Sequence, residues 1–206
     1  MKKVIIMLAC VMAIGAAGAQ ENKSKKFELG FGFSMTTFNN YSALSLFQDA
    51  TPSYTAWGET IHFGYRRNNG MLGLRFNCAT FNTSAIALNE TSGPLGLNLM
   101  LHRDVNISKH FEVGFGVSCG LAAWVNTFSY LGLDYNRVRW CTNGEFEMGL
   151  NYMIDDIGYF GLRVGITITG REFNKDMDMD LPVDLVANVR KNFDGYFIAM
   201  QYGVRF

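Results

Sequence analysis

Residues 27–36 read Phe-Glu-Leu-Gly-Phe-Gly-Phe-Ser-Met-Thr. The odd positions Phe27, Leu29, Phe31, Phe33 and Met35 are apolar, and the even positions Glu28, Gly30, Gly32, Ser34 and Thr36 are small or polar. Side chains alternate across a β-strand with period two, so this stretch predicts a strand with one greasy face and one small or polar face. The alternation recurs as Trp57, Ile61, Phe63, Tyr65, then Leu72, Leu74, Phe76, Cys78, then Leu95, Leu97, Leu99, Leu101. It continues as Phe111, Val113, Phe115, Val117, Cys119, Leu121, then Phe146, Met148, Leu150, Tyr152, then Phe160, Leu162, Val164, Ile166, Ile168. The last set, Tyr196, Ile198, Met200, Tyr202, Val204 and Phe206, ends on the final residue. Eight such segments predict an all-β fold.

The connections alternate in length. Those at about 67–70, 103–109 and 153–158 are short, and those at 38–53, 82–93, 125–138 and 171–192 are long. An even number of antiparallel strands with short turns on one side and long loops on the other predicts a closed up-and-down barrel with both termini at the short-turn end.

The start of the chain is of a different kind. Met1-Lys2-Lys3 is basic, Val4 to Ala16 is small and apolar, and Ala17-Gly18-Ala19 fits a small-x-small cleavage site, so residues 1–19 read as a cleaved signal peptide. As a membrane anchor this run is too short, since a spanning helix needs roughly 20 apolar residues. Lipidation at Cys10 is disfavoured by the preceding Met7-Leu8-Ala9. The remaining residues, 20–206, form one domain by length. Without Lys2 and Lys3 the mature chain carries 16 basic and 18 acidic residues, which leaves no electrostatic footprint for nucleic acid. Its three cysteines, Cys78, Cys119 and Cys141, have neither zinc-site nor redox-pair spacing. Cys119 and Cys141 also fall on opposite faces by parity, which excludes a bridge between regular strands.

A lipocalin-like secreted barrel also has eight alternating strands, so the decisive question is which face points inward. The face opposite the apolar set carries Gly30, Gly32, Gly64, Gly73, Gly114, Gly116 and other glycines beside Glu28, Arg75, His102, Glu112, Glu145, Glu147, Arg163 and Arg205. A pocket for an apolar ligand is not lined that way. Eight strands enclose a lumen just wide enough for side chains, so glycines making room for paired carboxylates and guanidiniums predict a filled polar lumen and an apolar exterior in contact with lipid. Trp57, Trp124 and Trp140 toward the long-loop ends, and Tyr65 and Tyr152 toward the short-turn ends, read as two interfacial belts. Trp124 fits by position but its parity points inward unless a bulge intervenes. Glu59 falls on the lipid face, a conflict that a bulge at Gly58 would relieve.

Residues 26–206 therefore resemble the small eight-stranded outer-membrane β-barrels: the OmpA transmembrane domain, OmpX-like proteins and PorT-type barrels. The cleavable leader, the Gly-punctuated strand 27–33, the turn Asn106-Ile107-Ser108-Lys109-His110-Phe111 and the terminal Tyr202-Gly203-Val204-Arg205-Phe206 carry the resemblance. It implies insertion in the cell outer membrane among lipid and lipopolysaccharide, with periplasmic termini. It also implies delivery by the barrel assembly machinery through the signal formed by Tyr202, Val204 and Phe206. Members of this family are structural, adhesive or involved in secretion, so the fold leaves the role open.

Candidate chemistry is sparse. His62 with Thr60 on the lumen face could be drawn as base and nucleophile, but no third orienting group can be named; His102 and His110 fall toward the short-turn side. The lumen charges are nearly balanced, which favours a satisfied ion-pair network over an ion path. Asp176, Asp178, Asp180 and Asp184 invite a calcium reading, yet Leu181 and Ala187 occupy the positions where an EF-hand needs Gly and Glu. These aspartates remain weak metal candidates. Leu181, Val183, Leu185 and Val186 in the same loop, 171–192, either bind a protein partner or pack over the barrel mouth. Gly114-Phe115-Gly116 belongs to a strand and is not a nucleotide loop. The reading is a non-enzymatic barrel without cofactor, structural or surface-interacting through its long loops. The alternatives are a PorT-type component of a secretion or envelope-assembly apparatus, narrow-pore transport and, last, a lipid-modifying outer-membrane enzyme.

Overall fold

The computed structural model describes residues 26–38, 54–85, 88–130, 133–154, 157–172 and 194–206. They form eight antiparallel strands closed into one barrel in chain order: β1 (Phe27–Phe38), β2 (Tyr54–Arg67), β3 (Gly70–Ala85), β4 (Leu88–Asn106), β5 (Phe111–Tyr130), β6 (Leu133–Met153), β7 (Gly158–Glu172) and β8 (Gly195–Arg205). The predicted leader, the loop residues 39–53 and 173–193, and with them Asp176, Asp178 and Asp180, lie outside the described residues.

The register fixes the shape. Following paired residues from Glu28 through Gly64, Gly73, Met100, Ser118, Glu145, Thr167 and Gly195 returns to β1 at Phe38, a stagger of ten residues. With roughly 3.3 Å per residue and roughly 4.8 Å between strands, that stagger tilts the strands by about 40° and gives a backbone radius of about 8 Å. The seam between first and last strands closes with two reciprocal bonds of 2.9 Å between the backbones of Phe27 and Phe206.

Every predicted face holds. Phe31, Phe63, Leu74, Leu97, Phe115, Leu150, Leu162 and Met200 point outward and are exposed, while Glu28, His62, Arg75, Asn98, Glu147 and Arg163 are buried inside. Trp57, Trp140, Tyr65 and Tyr152 all point outward. Tyr65 and Trp57 are eight residues apart on β2, and Tyr152 and Trp140 twelve apart on β6, spacings worth about 20 and about 30 Å along the axis at this tilt. The tyrosine belt is richer than expected, because Phe27 packs on Tyr65 (5.6 Å between centroids) and Phe206 (6.1 Å), Phe111 on Tyr152 (5.4 Å) and Phe160 on Tyr202 (5.3 Å).

Four expectations need correction. The stretches 82–93 and 125–138 are not long loops: β3 and β4 stay paired from Phe81↔Ser92 to Ala85↔Leu88, and β5 and β6 from Val125↔Val138 to Tyr130↔Leu133. Polar residues at strand period, which read as loop in the sequence, continue the ladder here. The turn placed at 103–109 starts later, since β4 runs to Asn106 and keeps Asp104 inside the barrel. Trp124 faces the lumen, 2% exposed, edge-on to Phe38 at 4.9 Å, and belongs to no exterior belt. No bulge occurs at Gly58, so Glu59 points outward, two residues from Trp57. The register shift among the strands lies instead between β6 and β7, where Cys141↔Glu172 is followed by Asn143↔Thr169. Cys119 lies outward and Cys141 inward, both free thiols.

At the end holding the termini, β2 and β3 turn tightly through Asn68 and Asn69, both at positive φ (49° and 63°), the conformation of a type I′ hairpin. In the next turn the Ser108 hydroxyl accepts from the backbone N–H of His110 and Phe111. This is the terminal end of the barrel, and the opposite one is its loop end.

Candidate functional site

The chemically rich region is the lumen, and it is divided along its length. At the terminal end, Glu28 of β1, Arg66 of β2, Asp104 of β4 and Arg205 of β8 form a ring of alternating charge. Arg66 bonds to Glu28 and, at 2.7 Å, to Asp104; Arg205 reaches Asp104 at 3.2 Å and Glu28 at 3.0 Å. Glu112 of β5 completes the coordination of Arg205 with bonds of 3.0 and 2.7 Å. From β7 the Tyr159 hydroxyl donates to Glu28 at 2.7 Å, and its ring lies 4.9 Å from the Arg205 guanidinium carbon. Six of the eight strands thus meet in one cluster.

One layer toward the loop end, Arg75 forms a two-bond fork to Glu147 at 2.7 and 2.6 Å and reaches Glu145 at 3.2 Å. Asn77 and Ser118 also donate to Glu145, at 2.7 and 3.0 Å. His102 joins the layers, with Nε2 3.0 Å from Asp104 and Nδ1 3.4 Å from Glu147. His62 lies 3.1 Å from Glu28. Removing such charges from water costs several kcal/mol per ion, so the network survives only because each carboxylate meets several donors.

The glycines are the other half of this construction. A Cβ on Gly30 would lie 2.0 Å from the His62 ring, and one on Gly203 would lie 2.3 Å from the Tyr159 ring. Each lets a large neighbour lie flat against the strand. The sequence reading gave glycines the task of widening the lumen; in the structure they seat particular side chains.

All eight predicted network residues, Glu28, Arg75, His102, Glu112, Glu145, Glu147, Arg163 and Arg205, point into the lumen. Among the described residues Arg163 is brought to no carboxylate. With its amide oriented so that Oε1 faces the guanidinium, Gln201 accepts from Arg163 Nε and Nη2 at 3.1 and 2.7 Å. Arg66, Asp104 and Tyr159 were missed, although parity with His62, His102 and Arg163 marks all three as inward. The drawn Thr60–His62 pair is not formed: Thr60 donates to Asn77 at 2.9 Å while His62 meets Glu28. His110 lies exposed in a turn beside Tyr152.

Above the second layer the lumen keeps buried polar pairs, Thr167 donating to Asn143 at 3.0 Å and Asn126 to Ser92 at 2.6 Å, but it is not filled. A cavity of about 70 Å³ opens there, with Arg75, Glu145, Glu147, Arg163 and Gln201 in its polar part and Phe38, Trp124 and Phe197 in its apolar part. The expected plug of side chains therefore does not extend through the loop half.

No protein-family profile and no curated protein matches the chain. Among solved structures it is similar to Neisserial surface protein A (NspA), at TM-score 0.59 and 11% identity over 89% of this chain and 98% of that one. It is similar as well to Ail, the attachment invasion locus protein of Yersinia pestis, at TM-score 0.57 and 11% identity over 89% and 99%. Ail in complex with the heparin analogue sucrose octasulfate gives TM-score 0.53 at 10% identity over 88% and 98%. With its closed eight-strand ladder, its outward apolar face and these likenesses, the chain has the fold of the small eight-stranded outer-membrane β-barrels.

Proposed function

We propose that this protein is a non-enzymatic integral barrel of the Gram-negative outer membrane, with a structural or surface-interaction role exerted through its loop end. One observation carries the reading: the outer face changes chemistry along its height. Between the tyrosine and tryptophan belts it is mainly apolar, with Glu59 next to the tryptophan belt. Beyond them it turns to Thr and Asn joined across strands, with Thr91 donating to Asn82 at 2.8 Å and Thr127 to Asn136 at 2.9 Å. The belt separations of about 20 and about 30 Å bracket the roughly 25 Å apolar band of an outer-membrane barrel. The hairpins β3–β4 and β5–β6 thus stand out of the lipid into water.

In this reading the termini are periplasmic, the exterior meets lipid and lipopolysaccharide, and Tyr202, Val204 and Phe206 present the C-terminal strand to the assembly machinery. A protein partner at loop 171–192 stays a proposal, as does a cation at its aspartates. Adhesion enters by likeness to Ail, an attachment invasion protein; the mature charge of this chain gives no reason to extend the sulfated-ligand binding of that protein to it. Narrow-pore transport would require a water path across the Glu28–Arg66–Asp104–Arg205 ring, which spans the lumen. A PorT-type role in secretion shares the fold and is distinguished by no described residue.

Cysteine labelling tests the topology. In a chain with Cys78, Cys119 and Cys141 replaced by Ala, T127C is expected to react with a membrane-impermeant maleimide on intact cells, and K109C only after lysis. Labelling of K109C on intact cells would reverse the orientation, and recovery of the protein in the soluble periplasm would end the membrane reading.

A further inference from the structure

The cavity in the loop half of the lumen is walled by two kinds of surface. Phe38, Ala79, Ala122, Trp124, Phe197 and Ala199 are apolar and inward, and the polar wall holds Arg163 and Gln201 beside Arg75 with its two carboxylates, Glu145 and Glu147, and neutral Ser, Thr and Asn side chains. The two arginines differ. Arg75 is saturated by two carboxylates, whereas Arg163, buried at 2% exposure, meets none among the described residues and bonds there to the amide of Gln201. Its Nη1 has no hydrogen-bond partner. A single amide oxygen shared between Nε and Nη2 does with one atom what a carboxylate does with two, since the guanidinium edge matches a bidentate oxyanion.

We infer that this cavity binds a small carboxylate with a short apolar tail, its headgroup on Arg163 in place of the Gln201 oxygen and its tail against Phe38, Trp124 and Phe197. Size follows from the volume: at 10–15 Å³ per water-sized occupant, about 70 Å³ holds about five to seven non-hydrogen atoms. Butyrate has that size. A buried cation without a counter-charge is costly, and a ligand carboxylate supplies the missing partner while the apolar tail covers wall that water solvates poorly. This inference rests on lumen geometry alone and stands independently of the proposed surface role.

The full mature chain, folded in detergent micelles, provides the test through Trp124, which lines the cavity. With Trp57→Phe and Trp140→Phe, Trp124 is the remaining tryptophan of the three in the chain. Butyrate is expected to change its fluorescence saturably, and butyramide, equal in shape but uncharged, to bind at least tenfold more weakly. Gln201→Glu, which tethers a carboxylate beside Arg163, is expected to abolish the response, and Ala199→Leu, which fills the cavity, to do the same. If Gln201→Glu fails to give a heat-modifiable barrel, Arg163→Gln replaces it with the same expected loss. No saturable response to butyrate, an equal response to butyramide, or a response surviving at Arg163→Gln or Gln201→Glu would overturn the inference.

Discussion

The terminal and loop halves of the lumen are built from the same strands at the same radius, yet one is a knot of charge and the other a cavity. Strand number and stagger set the diameter, so each layer of the barrel encloses nearly the same volume. What differs is the inward residue. In the terminal half these are Glu28, Arg66, Asp104, Glu112, Tyr159 and Arg205, long enough to meet in the middle. In the loop half Ala79, Gly96, Ala122 and Ala199 face inward beside the rings of Phe38, Trp124 and Phe197, and the small residues leave a cavity between them. A lumen of fixed width is closed or opened layer by layer through side-chain length, without any change in the backbone.

The sharpest way to break this contrast is Arg205→Ala. It leaves Glu112 without its cation in a dry layer and takes one of two guanidiniums from Glu28 and Asp104, which keep Arg66, so a loss of about 3–5 kcal/mol is expected in urea unfolding of the micelle-folded barrel. A loss below 1 kcal/mol would mean that water already reaches the ring. Arg75→Ala tests the border between the halves. It takes the guanidinium from Glu145 and Glu147, but Glu147 keeps His102, and Glu145 keeps Asn77 and Ser118 and faces the cavity, where water can replace the guanidinium. A smaller loss, about 2–3 kcal/mol in the same assay, is expected. If Arg75→Ala costs more than Arg205→Ala, the ordering of dry and wet halves is wrong.

Much of this division could be read from the chain and some could not. Period two placed all eight strands, and parity alone put Glu28, Arg75, Glu147 and Arg163 in the lumen, because a strand has only two faces. Element ends were harder. Asn82, Thr91, Thr127 and Asn136 carry loop-like side chains and keep the ladder, since two hairpin strands leaving the lipid need polar, not apolar, outer faces. Asp104 reads as a turn residue for the same reason: near a strand end, a charge suggests solvent contact whether or not the barrel closes over it. Which carboxylate meets which guanidinium depends on the stagger of ten residues, and no local pattern encodes that number. Trp124 shows parity outweighing type, for a tryptophan near a strand end suggests an interface while its even position on β5 points inward.

Gly30→Ala probes the packed half at the level of a single methyl. The added carbon would lie 2.0 Å from the His62 ring, and moving that ring breaks its contact with Glu28. A cost of about 1–3 kcal/mol is expected, in the range of overpacked cores. Stability within error of the parent would show that His62 has a second position available.

Gly96→Ala is the matching change in the open half, and its sign is the opposite. Gly96 lines the cavity, and the nearest atoms to a new Cβ are Asn143 Nδ2 at 3.8 Å, Asn77 Cβ at 3.9 Å and the Leu121 carbonyl at 3.9 Å, all ordinary contacts. No left-handed backbone conformation ties this position to glycine, so alanine sacrifices nothing in the folded state and restricts the unfolded chain. A gain of about 0.5–1 kcal/mol follows from that restriction alone. The two substitutions are chemically identical, share the inward face and differ only in the layer they occupy. Equal losses at Gly30 and Gly96 would mean that the loop half is as tightly filled as the terminal half, and the cavity with its carboxylate site would fall with that result.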